Sequence, residues 1–258
     1  MRQGRDCMIV ALALSRVLFD RNLILATMWL AVAAIPVSAA LSTADDQASS
    51  GLYFEQTTRV VPRDGTASSG VKSRVWHAAH RMRLEAGDEP GGPALVLRLD
   101  EGRALRLDPE AKVATEIDTR ALRARSHEDA SVASTLMGAE DELRTTPLAG
   151  TRTIAGHACS GFRLRSRAAS VELWVAADLP RASVFADFLE WSGAAQALPG
   201  LVAVIRELPG FPLETRTRVS VLGESQETVS TVTKIRVGPQ PPELFDVPAG
   251  FRLDKVVP

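Results

Sequence analysis

The stretch Gly150-Thr-Arg-Thr-Ile-Ala-Gly-His-Ala-Cys-Ser-Gly-Phe-Arg-Leu-Arg165, continued from Val171 as Val-Glu-Leu-Trp-Val-Ala-Ala-Asp-Leu-Pro180, decides how the chain is read. A glycine-punctuated turn feeds two segments of period two. In the first, Phe162 and Leu164 face one way and Arg163, Arg165 and Arg167 the other; in the second, Val171, Leu173 and Val175 alternate with Glu172 and Trp174. The sequence before this pair is strand-like, and the sequence after it opens with helix.

Working back toward the amino end, Leu52 to Val61 reads as the first strand and the Pro62-to-Gly70 segment as a turn. Val71 to Ala86 is long enough for one barrel-type strand, with Trp76, Ala78, His80, Met82 and Leu84 on one face and Val75, His77, Ala79, Arg81 and Arg83 on the other. Ala94 to Leu99, Arg103 to Leu107 and Lys112 to Ile117 are short strands separated by hairpin signals, which predicts an antiparallel meander. Asp118 can cap a short helix over Thr119 to Arg125, and the charged run Glu140 to Glu142 suits a solvated loop.

Forward of the pair, the period changes to near 3.6. Val184, Phe185, Phe188, Leu189, Trp191 and Ala195 fall on one helical side, and so do Leu201, Val202, Ile205 and Leu208, before Pro209-Gly210 ends the run. Phe211 to Leu222 and Gln226 to Val237 then return to strand, and a proline-rich tail closes the chain. Successive antiparallel strands with one late helical pair predict an α+β, mainly antiparallel protein, its strongly curved half-barrel sheet wrapped around the inserted helices. A flat sandwich with a surface helix is the competing architecture.

Of the 258 residues, 45% are hydrophobic and 24% charged, enough apolar material for a substantial core. Leu23 to Ala40 is an uncharged apolar run behind Arg16 and Arg21, ending in small residues, with Val37 and Ala39 or Ser38 and Ala40 placed for signal peptidase. Residues 1–40 therefore read as a Sec signal peptide, with an uncleaved anchor as the alternative. Residues 41–50 read as a flexible leader and 51–258 as a single domain in the periplasm or envelope. Removing 1–40 leaves 26 basic against 29 acidic residues, which is no nucleic-acid footprint. Cys7 leaves with the signal, so Cys159 has no partner for an internal disulfide.

Taken together, Thr153-Ile-Ala-Gly-His-Ala-Cys-Ser-Gly-Phe162, Val171 to Pro180, Leu208-Pro-Gly-Phe-Pro-Leu-Glu-Thr215 and Leu244-Phe-Asp-Val-Pro-Ala-Gly-Phe251 resemble, in order and spacing, the bacterial exported family called domain of unknown function 4412. That resemblance implies kinship with the unclosed β-barrels of LolA-type lipoprotein carriers, in which an apolar concave face under helical lids holds acyl chains. It supplies no activity.

The chemistry on offer is sparse. His77 and His80 are spaced for zinc on a helix, but a strand sends them to opposite faces. His157 and Cys159 share a strand face, where an imidazole could activate the thiol; a buried, inert cysteine beside a satisfied histidine is the plainer reading. Arg152, Arg163, Arg165 and Arg167 form either a surface for anionic lipid heads or simply a wet face. No nucleophile elbow or phosphate-cradling loop occurs, so neither an enzyme, a cofactor nor a metal is expected. The candidate ligand-binding set is Trp76, Met82, Leu84, Phe185, Phe188, Trp191, Leu201 and Ile205. These residues would hold a lipid, acyl chain or other apolar ligand; alternatively they fill the core of a module that binds another envelope protein.

Overall fold

The structure, a computed structural model, describes residues 51–61, 70–118, 144–165, 169–192, 199–221 and 224–255. All described residues belong to one compact unit. The expected signal, leader and Thr119-to-Arg125 helix fall outside the described residues.

Twelve strands form one sheet: β1 Leu52–Val61, β2 Val71–Ala78, β3 Arg81–Ala86, β4 Ala94–Arg98, β5 Arg103–Asp108, β6 Val113–Ile117, β7 Arg144–Ile154, β8 His157–Arg165, β9 Ala169–Ala176, β10 Phe211–Val221, β11 Glu224–Val237 and β12 Arg252–Lys255. Their order is β12-β6-β5-β4-β3-β2-β1-β11-β10-β9-β8-β7, with no pairing between β7 and β12 among the described residues, so the sheet is unclosed. Every neighbouring pair is antiparallel except β12 on β6. The meander expected between Ala94 and Ile117 is present as β4, β5 and β6.

The deciding stretch forms the hairpin β7–β8. Ile154 pairs with His157 across a two-residue turn in which Ala155 (φ 49°) and Gly156 (φ 87°) are both left-handed. A turn with two positive φ values matches the natural twist of a hairpin, and glycine occupies its second position without strain.

The reading of residues 71–86 as one long strand is corrected. The chain turns at Ala79 and His80, and β2 pairs antiparallel with β3, His77 opposite Met82 and Val75 opposite Leu84. Ala79 takes φ 48° in that turn. Folding the run back on itself reverses the phase of its second half, so Met82 and Leu84 share a face with Val75 and His77, not with Trp76.

Three short helical pieces, a 3-10 turn Ala182–Phe185, α1 Ala186–Ser192 and α2 Pro199–Glu207, interrupt the hairpin between β9 and β10. Phe185 meets Phe54 edge-on at 6.2 Å and Phe211 at 5.8 Å, which sets these pieces on one face of the sheet. The opposite face carries a second core: Ala94, Val96, Leu105, Leu107 and Ala114 pack on Phe245, with Trp76, Leu244, Val247 and Phe251 around them. Phe245 belongs to a 3-10 turn, Pro242–Phe245, in the carboxy-terminal segment that sequence patterning left as a tail. The Phe185 cluster thus packs on one face of the sheet and this strap on the other.

Candidate binding face

The floor of the helix-bearing face is built by strand alternation. Along β1, Leu52, Phe54, Gln56 and Thr58 point the same way; their β2 partners are His77, Val75, Ser73 and Val71. Next along the sheet, β11 supplies Val237, Ile235, Val232 and Ser230 opposite the same four residues, with a bulge after Glu55 that keeps them in phase. The bulge also puts the two halves of β11 out of phase: Val229 and Thr231 pair with Arg59 and Thr57, whereas Ile235 pairs with Phe54.

One end of this floor is aromatic and closed over. Phe185 is fully buried, Phe188 is 3% exposed, and both rings meet the His77 ring, at 5.1 and 5.6 Å. Phe54 and Phe211 complete the cluster at 5.2 Å. The other end is polar: Thr58 and Ser230 share a hydroxyl–hydroxyl bond of 2.8 Å, and Gln56 and Ser73 are buried between the two ends. Gln56 is 7% exposed, and its amide nitrogen has no hydrogen-bond partner among the described residues.

Of the eight candidate residues, the structure brings Met82 and Leu84 to the floor and buries Phe185, Phe188 and Ile205. Trp76 is separated from them. It stands on the opposite face, tilted on Tyr53 at 5.1 Å with the Arg83 guanidinium 5.9 Å from its ring. The side chains of Trp191 and Leu201 lie outside the described residues. Sequence patterning missed Phe54, His77 and Phe211. Phe54 was legible in the alternation of β1, but His77 was hidden by the single-strand reading of 71–86.

The helical cover has a distinctive attachment. It leaves β9 and re-enters β10 where those strands meet, Ala176 opposite Phe211, and the Ala182 amide donates to the Gly210 carbonyl at 3.1 Å. A Cβ on Gly210 would lie 1.9 Å from the Ala176 oxygen, so only glycine permits this close crossing. Within the cover, Arg206 of α2 bonds Glu190 of α1 at 2.9 and 3.0 Å and Asp187 at 3.4 Å. Its buried residues Phe185, Phe188, Val204 and Ile205 are apolar.

The other candidate chemistry resolves away from catalysis. Cys159 is fully buried, its thiol donates to the His157 carbonyl at 3.5 Å, and burial pushes its pKa up. The His157 ring is engaged instead by Asp178 at 2.7 Å, a bond that holds the Asp178 carboxyl below its ordinary range. A raised thiol pKa is the reverse of an activated nucleophile. Of the arginine face, Arg163 bonds Glu172 at 2.6 Å, Arg152 bonds Glu214 at 3.0 Å and stacks 4.1 Å over Trp174, and Arg167 lies outside the described residues. Among the described residues, no group of three or more His, Cys, Asp or Glu is placed to hold a metal ion, and no helix is long and apolar enough to cross a membrane.

A family profile matches residues 79–251, the span that carries the meander, the deciding hairpin, the helical cover and the strap. The chain belongs to the family described as Domain of unknown function (DUF4412). No curated protein matches this DUF4412 chain. Among solved structures it is similar to an uncharacterized conserved protein from Thermus thermophilus, at 11% identity and TM-score 0.42 over 82% of this chain and 93% of that one. It is also similar to MucB, solved in complex with MucA(peri), at 16% identity and TM-score 0.39 over 80% and 57% of the respective chains. A third likeness, to a putative outer membrane lipoprotein-sorting protein domain from Vibrio parahaemolyticus, has 8% identity and TM-score 0.28 over 76% and 89%. These TM-scores are too low to constrain function.

Proposed function

We propose that this DUF4412 protein is exported to the envelope, residues 1–40 acting as its signal peptide and 41–50 as its leader, and that residues 51–258 hold a lipid or other apolar ligand. The ligand would lie between the helix-bearing face and the helical segment, the sheet curving around it as a half-barrel. The protein works by binding, without catalysis or a cofactor.

The observation that carries this reading is how the helical segment is held. It is inserted in one hairpin, joined at a single crossing at Ala176 and Gly210, braced internally by Arg206 with Asp187 and Glu190, and seated on the sheet through the aromatic contacts of Phe185 and Phe188. Apolar contacts are non-directional and can be exchanged for contacts with an acyl chain at little cost. Such a segment can therefore lift as a unit while the strands on either side stay paired.

One observation favours a second reading. Phe185 is fully buried against Phe54, Phe211 and His77, as in a filled core, and the outer surface would then bind another envelope protein. Native mass spectrometry of the protein purified without detergent, followed by organic extraction, separates the two. A discrete adduct that extracts as a lipid supports the first; a bare mass that takes up neither added fatty acid nor added glyceride refutes it and favours the second.

A further inference from the structure

The aromatic end of the floor explains how an apolar chain would be held, but it leaves Gln56 without a purpose. A primary amide is a poor choice for a buried floor position flanked by Ser73 and Val232. It loses water on folding, and leaving a buried N–H unmet costs stability that a leucine there would not cost. Its position in the row is telling. Phe54, two residues earlier on the same face, touches Phe185 and Phe211, while Thr58, two residues later, bonds Ser230. Gln56 thus stands where the floor changes from aromatic to hydroxyl-bearing.

Charge narrows what could meet it. From Leu52 to Thr58, the floor residues of β1 and their partners on β2 and β11 include no Lys, Arg, Asp or Glu. The charged residues of these strands point to the other face: Glu55 accepts from Lys234 at 2.8 Å and from the Tyr53 hydroxyl at 2.6 Å, and Arg74 bonds Glu85 at 3.0 Å. Above the floor, Asp187 and Glu190 are exposed and engaged by Arg206. An anionic head brought to Gln56 would be desolvated with no cation to meet it.

We infer, building on the apolar-ligand reading, that the ligand is an amphipathic molecule with an uncharged, hydrogen-bond-accepting head of the glyceride ester type, its carbonyl accepting from the Gln56 amide and its chain lying against Phe54 and Phe185. A carboxylate is itself an acceptor, but the cost of desolvating its charge keeps a fatty-acid head in water and leaves the amide unmet, whereas an ester carbonyl can reach it without that cost. The floor therefore selects a neutral ester over a free fatty-acid anion of the same chain length.

The test uses the full chain, exported and purified without detergent, with monooleoylglycerol and oleate as probes at pH 8. The wild type is expected to bind monooleoylglycerol at least about tenfold more tightly than oleate, one hydrogen bond of ordinary strength. Gln56→Leu, and Gln56→Met as an independent replacement of similar size, should erase that preference, leave oleate binding unchanged and not lower the denaturation midpoint. If both probes bind the wild type but neither variant changes their ratio, the head-group inference is overturned while the apolar-ligand reading stands. If the wild type binds neither, both fall.

Discussion

Phe185→Ala tests whether the helical segment is a cover or a fixed part of the core. The side chain is fully buried and touches three rings, Phe54 at 6.2 Å, Phe211 at 5.8 Å and His77 at 5.1 Å. Truncating a buried phenylalanine costs about 3–5 kcal/mol in transfer and cavity energy. If the segment lifts as a unit, that loss falls on its closure. The amides of α1 and α2 should then exchange hydrogen roughly a hundred- to several-thousandfold faster, since about 1.4 kcal/mol is a factor of ten. The amides of β1, β2 and β11 should keep their wild-type protection. Native-state hydrogen exchange read by mass spectrometry resolves the two regions. A uniform loss of protection across helices and sheet, by the same factor, would refute the cover and make the aromatic cluster a plain core.

Three further outcomes follow from named contacts. Tyr53, the single tyrosine of the chain, has its pKa pushed up to about 12 by burial and by its bond to Glu55, so its tyrosinate absorbance should rise near that pH in the native protein and near 10 in denaturant. Because the folded value is the higher, the stability it contributes is complete below about pH 10 and is lost as pH climbs toward 12; a native titration near 10 would contradict the arrangement. Cys159 should resist alkylation in the native protein and react on unfolding, as mapped by peptide mass, and rapid native labelling would reopen the case for a reactive thiol. Gly210→Ala should lower the denaturation midpoint by at least the equivalent of about 1–3 kcal/mol, because the new methyl would press on the Ala176 carbonyl where the cover is joined; a neutral effect would mean that the crossing is looser than its geometry.

How far the sequence could be read depended on whether a signal was local. Alternation over Leu52 to Val61 and from Ala94 to Ile117 gave strands because each side chain reports its own face, and the switch to a 3.6-residue period after Arg181 gave the helices for the same reason. The run 71–86 misled because Ala79-His80 carries no glycine, proline or asparagine to announce a turn, yet Ala79 takes a left-handed conformation there. That one unannounced turn moved Trp76 out of the candidate site and His77 into it. The strap was illegible for another reason: Phe245 and Phe251 lie among prolines with no period at all, and their burial depends on β3 to β6, more than a hundred residues earlier. Gln56 could not have been singled out, since only the register shows that an amide is buried beside Phe54.

The contacts on the two faces of the sheet bear on where a ligand would be accommodated. On the strap side, directional bonds reinforce the packing: Arg83 donates to the Leu244 carbonyl at 3.2 Å, Arg98 pairs with Asp246 at 2.8 Å, and β12 extends β6 through backbone bonds. Those contacts fix β3, the strand next to β2, and β4 beyond it, and β3 carries Met82 and Leu84 on the floor. On the helix side, the cover is braced internally by Arg206, bonded at its root from the Ala182 amide to the Gly210 carbonyl, and meets the floor in the aromatic contacts of Phe185 and Phe188. Hydrogen bonds and ion pairs fail when geometry changes by an ångström or so, whereas apolar contacts tolerate sliding and exchange of partners. A stiff floor beneath a cover seated this way means that room for an acyl chain would come from displacement of α1 and α2, with the strand register unchanged.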